Sequence, residues 1–161
     1  MAEPRTHTFR QRHRLRHDRE FQAVYASGVR KQRGVLIVSV LPNALEHPRL
    51  GLSVGTRVGP AVVRNRCKRL VREAFRLEQA SLARSPTGGY DIVVGIRPLR
   101  AEKTDAASPK PAARSRHGAV LPPLPTLRQT LVELIAQADT QWRRRLKRNP
   151  SGPLPSPTEP A

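Results

Sequence analysis

Apolar residues along this chain of 161 residues recur with two different spacings, and each spacing predicts a different kind of element. Val35 to Leu41 and Leu50 to Val54 are short runs rich in branched aliphatic residues and read as strands. Tyr90 to Ile96, after the break at Gly88-Gly89, is a strand of the near-continuous apolar kind that is buried on both faces. A shorter strand is predicted near Val29–Gln32, and Asn43 to Pro48 reads as a turn. Three other stretches have helical spacing. Asp18 to about Ser27 places Phe21, Val24 and Tyr25 on one face, with Asp18 as a cap and Gly28 as the stop. A second helix has Pro60 in its first turn and gathers Val63, Cys67, Leu70, Val71, Ala74 and Leu77 on one arc. Thr126 to about Leu146 puts Leu127, Leu131, Leu134, Ile135 and Ala138 on one side. The resulting order, αβββαβα, predicts an α/β (α+β) two-layer sandwich around a small mixed sheet.

Three segments lack such patterning. Residues 1–16 carry Arg5, Arg10, Arg12, Arg14 and Arg16 with almost no apolar periodicity, and read as a basic flexible N-terminal arm. Residues from about 98 to 125 carry Ala, Ser, Pro and Lys with little hydrophobic content and read as a flexible insertion. Residues 149–161 form a Pro-rich tail predicted to be disordered. A single domain over 17–148, interrupted by the insertion, accounts for the rest.

Charge changes the picture most at the second helix. Wound at about 100° per residue, it sets Arg64, Asn65, Lys68, Arg69, Arg72 and Arg76 opposite its apolar arc, with Glu73 as the lone acid. Packing would be satisfied by mixed charge on an outer face. Concentrated cations repel one another, and nucleic-acid phosphate is the partner that most commonly explains them. The whole chain agrees: 30 Lys and Arg against 12 Asp and Glu give a net charge of +18, with a pI near 11.8. No apolar run is long enough to span a bilayer, and the N-terminus has no apolar segment of the secretory kind. Cys67, the single cysteine, excludes an intramolecular disulfide and fits a reducing cytoplasmic setting. It lies on the buried arc and reads as a small hydrophobe.

Several residues that attract attention carry little chemistry. His13 and His17 are four apart but have no companion acid or cysteine, so they do not make a metal site. Gly51, Gly55 and Gly59 are not followed by Gly-Lys-Ser/Thr and serve the turn into the helix, not a phosphate loop. Trp142 reads as a packing residue beside a second cationic cluster, Arg143 to Arg148. No Ser/His/Asp or Cys/His arrangement is evident, nor an acidic cluster able to hold two Mg2+ ions.

Leu50-Gly51-Leu52-Ser53-Val54, Arg57-Val58-Gly59-Pro60-Ala61-Val62-Val63 and the run Arg64-Asn65-Arg66-Cys67-Lys68-Arg69-Leu70-Val71-Arg72-Glu73-Ala74-Phe75 resemble the protein subunit of bacterial ribonuclease P. The Arg-Asn-Arg helix is that family's signature, and Glu20-Phe21-Gln22-Ala23-Val24-Tyr25 looks like its first helix. The resemblance implies a left-handed crossover around the Arg-Asn-Arg helix, against the usual hand. It implies a ribonucleoprotein that cuts the 5′ leader from precursor tRNA. In that family the RNA subunit performs the chemistry and needs Mg2+, and the protein itself holds no cofactor. Two surfaces follow from the same resemblance. Arg57, Arg64, Asn65, Arg66, Lys68, Arg69 and Arg72 would contact the catalytic RNA. Phe21, Tyr25, Arg30, Lys31 and Arg97 would line a cleft for the precursor's leader, with Arg33 nearby.

Alternatives stand beside these assignments. Phe21 and Tyr25 are equally readable as core, since aromatics on an apolar helix face usually are. Asn65 is readable as a cap, a backbone partner or an RNA contact. Arg66 and Glu73, at the edge of the basic arc, also suit a local structural role. At the level of function, a ribosomal or nucleoid nucleic-acid-binding protein is the runner-up, and a self-sufficient nuclease is disfavoured by the scarcity of acids.

Overall fold

The computed structural model describes residues 8–98 and 121–150. Its elements are α1 (Asp18–Ser27), β1 (Val29–Arg33), β2 (Leu36–Pro42), β3 (Arg49–Val54), α2 (Ala61–Glu78), β4 (Tyr90–Ile96) and α3 (Leu124–Arg148). The sheet order is β1-β2-β4-β3. β1 and β4 flank β2 antiparallel, whereas β3 and β4 run parallel, so the sheet is mixed. Parallel neighbours need a crossover, and α2 lies in that connection. The α/β class and the element order are as the apolar spacing predicts. Gly59, at φ 151°, makes the turn before α2 with a backbone conformation that a side chain would strain.

Two adjacent residues of β4 define the layers, because neighbours on a strand point to opposite faces. The Tyr90 hydroxyl donates to Asp139 Oδ1 of α3 at 2.6 Å. Asp91 instead accepts from Arg49, whose other branch reaches Glu20 of α1. Thus α3 and α1 cover opposite faces. α2 joins α3, packing beside it and tied by Arg128 Nε donating to Glu78 Oε1 at 2.6 Å. The sandwich of sheet against α2 and α3 holds most of the core: Val38, Val40, Val71, Phe75, Ile92, Val94, Leu131 and Ile135 are all essentially inaccessible. α1 adds a partial layer on the other face, which apolar spacing alone does not reveal.

The N-terminal segment departs from its expected flexibility. Within residues 8–16, a short helical turn at Gln11–His13 leads into Arg14, which bridges to Leu50 at the free edge of β3. The Leu15 N–H donates to the Leu50 carbonyl at 3.0 Å, and Leu15 and His13 are buried. Phe9 packs edge-on against Phe75, with ring centroids 5.6 Å apart. The physical reason is that an edge strand with unpaired backbone groups recruits a partner. Sparse apolar residues, Phe9 and Leu15, suffice to dock it. Residues 1–7 lie outside the described residues.

The expected insertion also ends earlier than its composition predicts. Leu121 is already buried, and α3 starts at Leu124 with Pro125 in its first turn, a position where proline loses no hydrogen bond. Residues 99–120 and 151–161, the rest of the insertion and most of the tail, lie outside the described residues. Phe75 also belongs to the buried face of α2, which lies closer to Phe75 and Arg64 than the predicted arc.

Candidate nucleic-acid interface

α2 presents its cations on two levels. Asn65, Arg66 and Arg69 are exposed, and Arg57 is exposed on the short turn that precedes the helix. Arg64, Lys68 and Arg72 are half-buried along the flank nearest the N-terminal segment. Spaced four residues apart, they form one row. The Arg64 Nε is buried with no hydrogen-bond partner among the described residues. Arg76 differs from the others because Glu73 binds it through two hydrogen bonds of 2.9 and 2.6 Å. Arg76 therefore holds the Glu73 carboxyl below its usual range. This gives Glu73 the local role open to it on sequence grounds, while Arg66 makes no ion pair among the described residues.

Lys68 and Arg72 overhang a groove of about 150 Å3 at the β3 edge, whose other walls are Phe9, Arg14, Leu15, Phe21, Leu50 and Leu52. Apolar floor and cationic rim are what a single-stranded polynucleotide requires, stacking below and phosphate neutralisation above. Phe21 is half-buried at this groove and packs on the core, whereas Tyr25 is 54% exposed. The two aromatics therefore have different surroundings despite their common helix face.

Strand register separates the remaining residues expected to line the cleft. Paired residues share a face, and Val29, Val40, Ile92 and Leu50 form one row across the sheet. Lys31, two residues from Val29, faces the α3 side, as does Arg33, which pairs with Glu133 of α3. Neither can join Phe21 on the α1 side. Arg30 does face the α1 side, opposite Ser39. Arg97 is exposed just beyond β4, its N–H donating to the Val35 carbonyl at 2.8 Å. Strand alternation sets Lys31 and its neighbour Arg30 on opposite faces of β1. Conversely, Phe9, Arg14, Leu15 and Leu52 line the groove and were missed, because nothing local shows that residues 9–15 dock.

Electrostatics elsewhere on the α1 face is already balanced. Arg49, only 8% exposed, donates to Asp91 Oδ1 and Oδ2 at 2.8 and 2.6 Å and to Glu20 Oε1 at 2.9 Å. Burial works to raise the Glu20 pKa, but the N–H groups of Arg16 and His17 and the Arg49 guanidinium outweigh it and hold the carboxyl below its ordinary value. Burial raises the Cys67 thiol, which is inert packing. Among the described residues no three His, Cys, Asp or Glu side chains converge as metal ligands, and the acids nearest the groove are committed to Arg49. No described helix is long and apolar enough to cross a membrane.

Known proteins with the same features can now be compared. Residues 9–110, more than half of the chain, match the family model described as Ribonuclease P. The ribonuclease P protein component of Azotobacter vinelandii is 50% identical over 86 residues, covering 52% of this chain and 62% of that protein. That of Methylococcus capsulatus is 42% identical over 100 residues, covering 56% of this chain and 78% of the relative. Among solved structures, the RNase P protein of Staphylococcus aureus superposes with a TM-score of 0.56 at 25% identity, covering 79% of this chain and 97% of that one. The RNase P protein from Thermotoga maritima gives 0.56 at 28% identity, covering 77% and 96%.

Proposed function

The chain belongs to the ribonuclease P protein family, and from that premise we propose that it is the protein subunit of a cytoplasmic ribonucleoprotein that removes the 5′ leader of precursor tRNA. The catalytic RNA carries the cleavage and the Mg2+ it needs; the protein contributes position and charge. Arg57, Arg64, Asn65, Arg66, Lys68, Arg69 and Arg72 engage the catalytic RNA. The groove beneath Lys68 and Arg72, with Phe21 in its wall, takes the unpaired leader, aided by Arg30 on the same side of the sheet and by Arg97 just beyond β4.

The observation that carries this reading is the pair Lys68 and Arg72 overhanging the groove at the β3 edge, with Arg64 one turn away in the same row of α2. Solubility would be served by exposed, mixed charge. A half-buried cation is costly unless something compensates it, and RNA phosphate does so at each of these positions. Leader bases resting on Phe21 and Leu52 would be held by stacking and apolar contact, which every base supplies, so the protein would accept many leaders.

The test is cleavage of precursor tRNA at low, near-physiological Mg2+ by the catalytic RNA of the same organism, with and without this protein. Correct 5′ cleavage only when both are present supports the subunit role. Cleavage by protein alone would overturn it in favour of a self-sufficient nuclease. No stimulation by folded protein would favour a general nucleic-acid-binding protein.

A further inference from the structure

A second strongly charged surface lies at the opposite pole of the domain from Arg57 and Arg64, and the function above makes no use of it. α2 begins beyond the end of β3, whereas the last turns of α3 lie where β4 begins. Tyr90 bonds Asp139 there, and the Trp142 indole N–H donates to the Val40 carbonyl at 2.9 Å. Trp142 is the last buried residue of α3, yet the helix continues through Arg148, roughly 9 Å further. At about 100° per residue, Trp142 and Leu146 share the inward side. Arg144 and Arg148 stand on the opposite side, flanked by Arg145 and Lys147.

These four cations have no acidic partner among the described residues. Asp139 is occupied by Arg143 and Tyr90, and no acid follows it before Glu159. The helix macrodipole favours cations in a last turn, but it explains one or two charges, not four unpaired ones. The helix end is also held in place. Arg145 lies over the Trp142 ring at 5.3 Å, and Arg143 donates to the Arg84 carbonyl at 2.9 Å. That bond sets Arg84 beside the cluster, where it and Arg12 border a depression of about 280 Å3 with Glu46 as its lone acid.

We propose that Arg144, Arg145, Lys147 and Arg148, extended by Arg84, form a second polyanion-binding surface that contacts RNA phosphates at the far pole of the domain. It rests on the RNA-binding function proposed above. A rigid, fully charged helix end without an exposed apolar side suits a phosphate backbone. An anionic membrane would call for an exposed aromatic or aliphatic anchor, and Trp142 is buried inward. The phosphates belong either to the catalytic RNA or to the body of the tRNA, and binding distinguishes these sources.

The experiment uses the full chain and the triple variant Arg144→Ala/Arg145→Ala/Arg148→Ala. Affinity for the catalytic RNA alone, and of the assembled holoenzyme for precursor tRNA, is measured against salt. All three positions are exposed, so the variant should stay folded, giving up only the Arg145 contact over the Trp142 ring, and the matching triple Lys variant controls for charge. We expect at least about tenfold weaker binding in one arm, with the log–log salt slope flatter by about 2, and recovery in the Lys variant. A deficit in the first arm assigns the surface to the catalytic RNA; one confined to the second assigns it to tRNA. Wild-type affinity and slope in both arms would overturn the proposal while leaving the subunit role intact. Loss of binding only to phosphatidylglycerol vesicles would overturn it in favour of a membrane. A wild-type chain that binds neither RNA would sink the subunit role itself.

Discussion

The Phe21 ring occupies the space a side chain on Gly51 would need: a Cβ at Gly51 would stand 2.8 Å from Phe21 Cε1 and Cζ. The absence of a side chain in β3 is thus what lets α1 lay an aromatic ring against the sheet. Gly51→Ala should destabilise the protein by about 1–3 kcal/mol through overpacking. In a Phe21→Ala background the same change should cost much less, because the obstructing ring is gone. Urea unfolding of the four proteins in the cycle measures the coupling; additive losses would show that Gly51 is constrained by something other than Phe21.

If the groove takes the leader, Phe21→Ala should weaken binding of leader-bearing precursor more than that of mature tRNA. Tyr25→Ala should leave the melting temperature unchanged, since Tyr25 is exposed. Paired binding measurements on precursor and mature tRNA decide the matter. Equal losses on both RNAs, with a lower melting temperature, would return Phe21 to a purely structural role.

Arg49 holds Glu20 and Asp91 together, with Asn43 Nδ2 adding a 2.7 Å hydrogen bond to Asp91. Arg49→Met should cost about 3–5 kcal/mol, because it strands two buried carboxylates without a countercharge. The pH response follows from Glu20, whose folded pKa lies below its unfolded one. Its contribution is complete above the unfolded value of about 4.5 and is lost as pH falls through the lower folded value. Stability curves between pH 3 and 6 should therefore show an acid limb that is reduced in Glu20→Gln.

Helix and strand order was legible because each element carries its own period: alternate burial in strands and the Cys67, Val71, Ala74 stripe in α2. The cationic face of α2 was legible for the same reason, since helical geometry alone puts Arg69 opposite Cys67. What was not legible depends on pairing across the chain. Alternation sets Lys31 and Arg30 on opposite faces of β1, but only the β1–β2 pairing shows that Arg30 is the one on the α1 side. The docking of Phe9 and Leu15 requires a free β3 edge and the Phe75 ring, which only the assembled sheet provides.

His13 is buried within that docked segment. Its Nδ1 accepts the Arg10 N–H at 3.1 Å, and its ring meets His47 with centroids 5.1 Å apart. Burial, then His47, Arg12 and Arg10, lower its pKa below 6.5. The folded state therefore favours the neutral ring. Its contribution is complete above about pH 6.5 and declines as pH falls toward the folded value. Hydrogen exchange at the Leu15 N–H, corrected for intrinsic rate, should accelerate at pH 5.5 relative to pH 7.5. His13→Asn, which keeps an acceptor but does not titrate, should remove the excess; a persistent acceleration would point to another group.

Arg64 separates stability from function most sharply. Its buried Nε has no hydrogen-bond partner among the described residues, a loss of about 1–3 kcal/mol in a folded protein. Arg64→Met keeps the aliphatic stem and removes that burden, so the free protein should melt at the same temperature or higher. Binding to the catalytic RNA should weaken, with the log–log salt slope flattening by about 0.7–0.9 if one phosphate contact is lost. A structural arginine would give the reverse result, lower stability with an unchanged slope. Melting and salt titration of this one variant therefore decide whether the unmet hydrogen bond at Arg64 is retained for RNA.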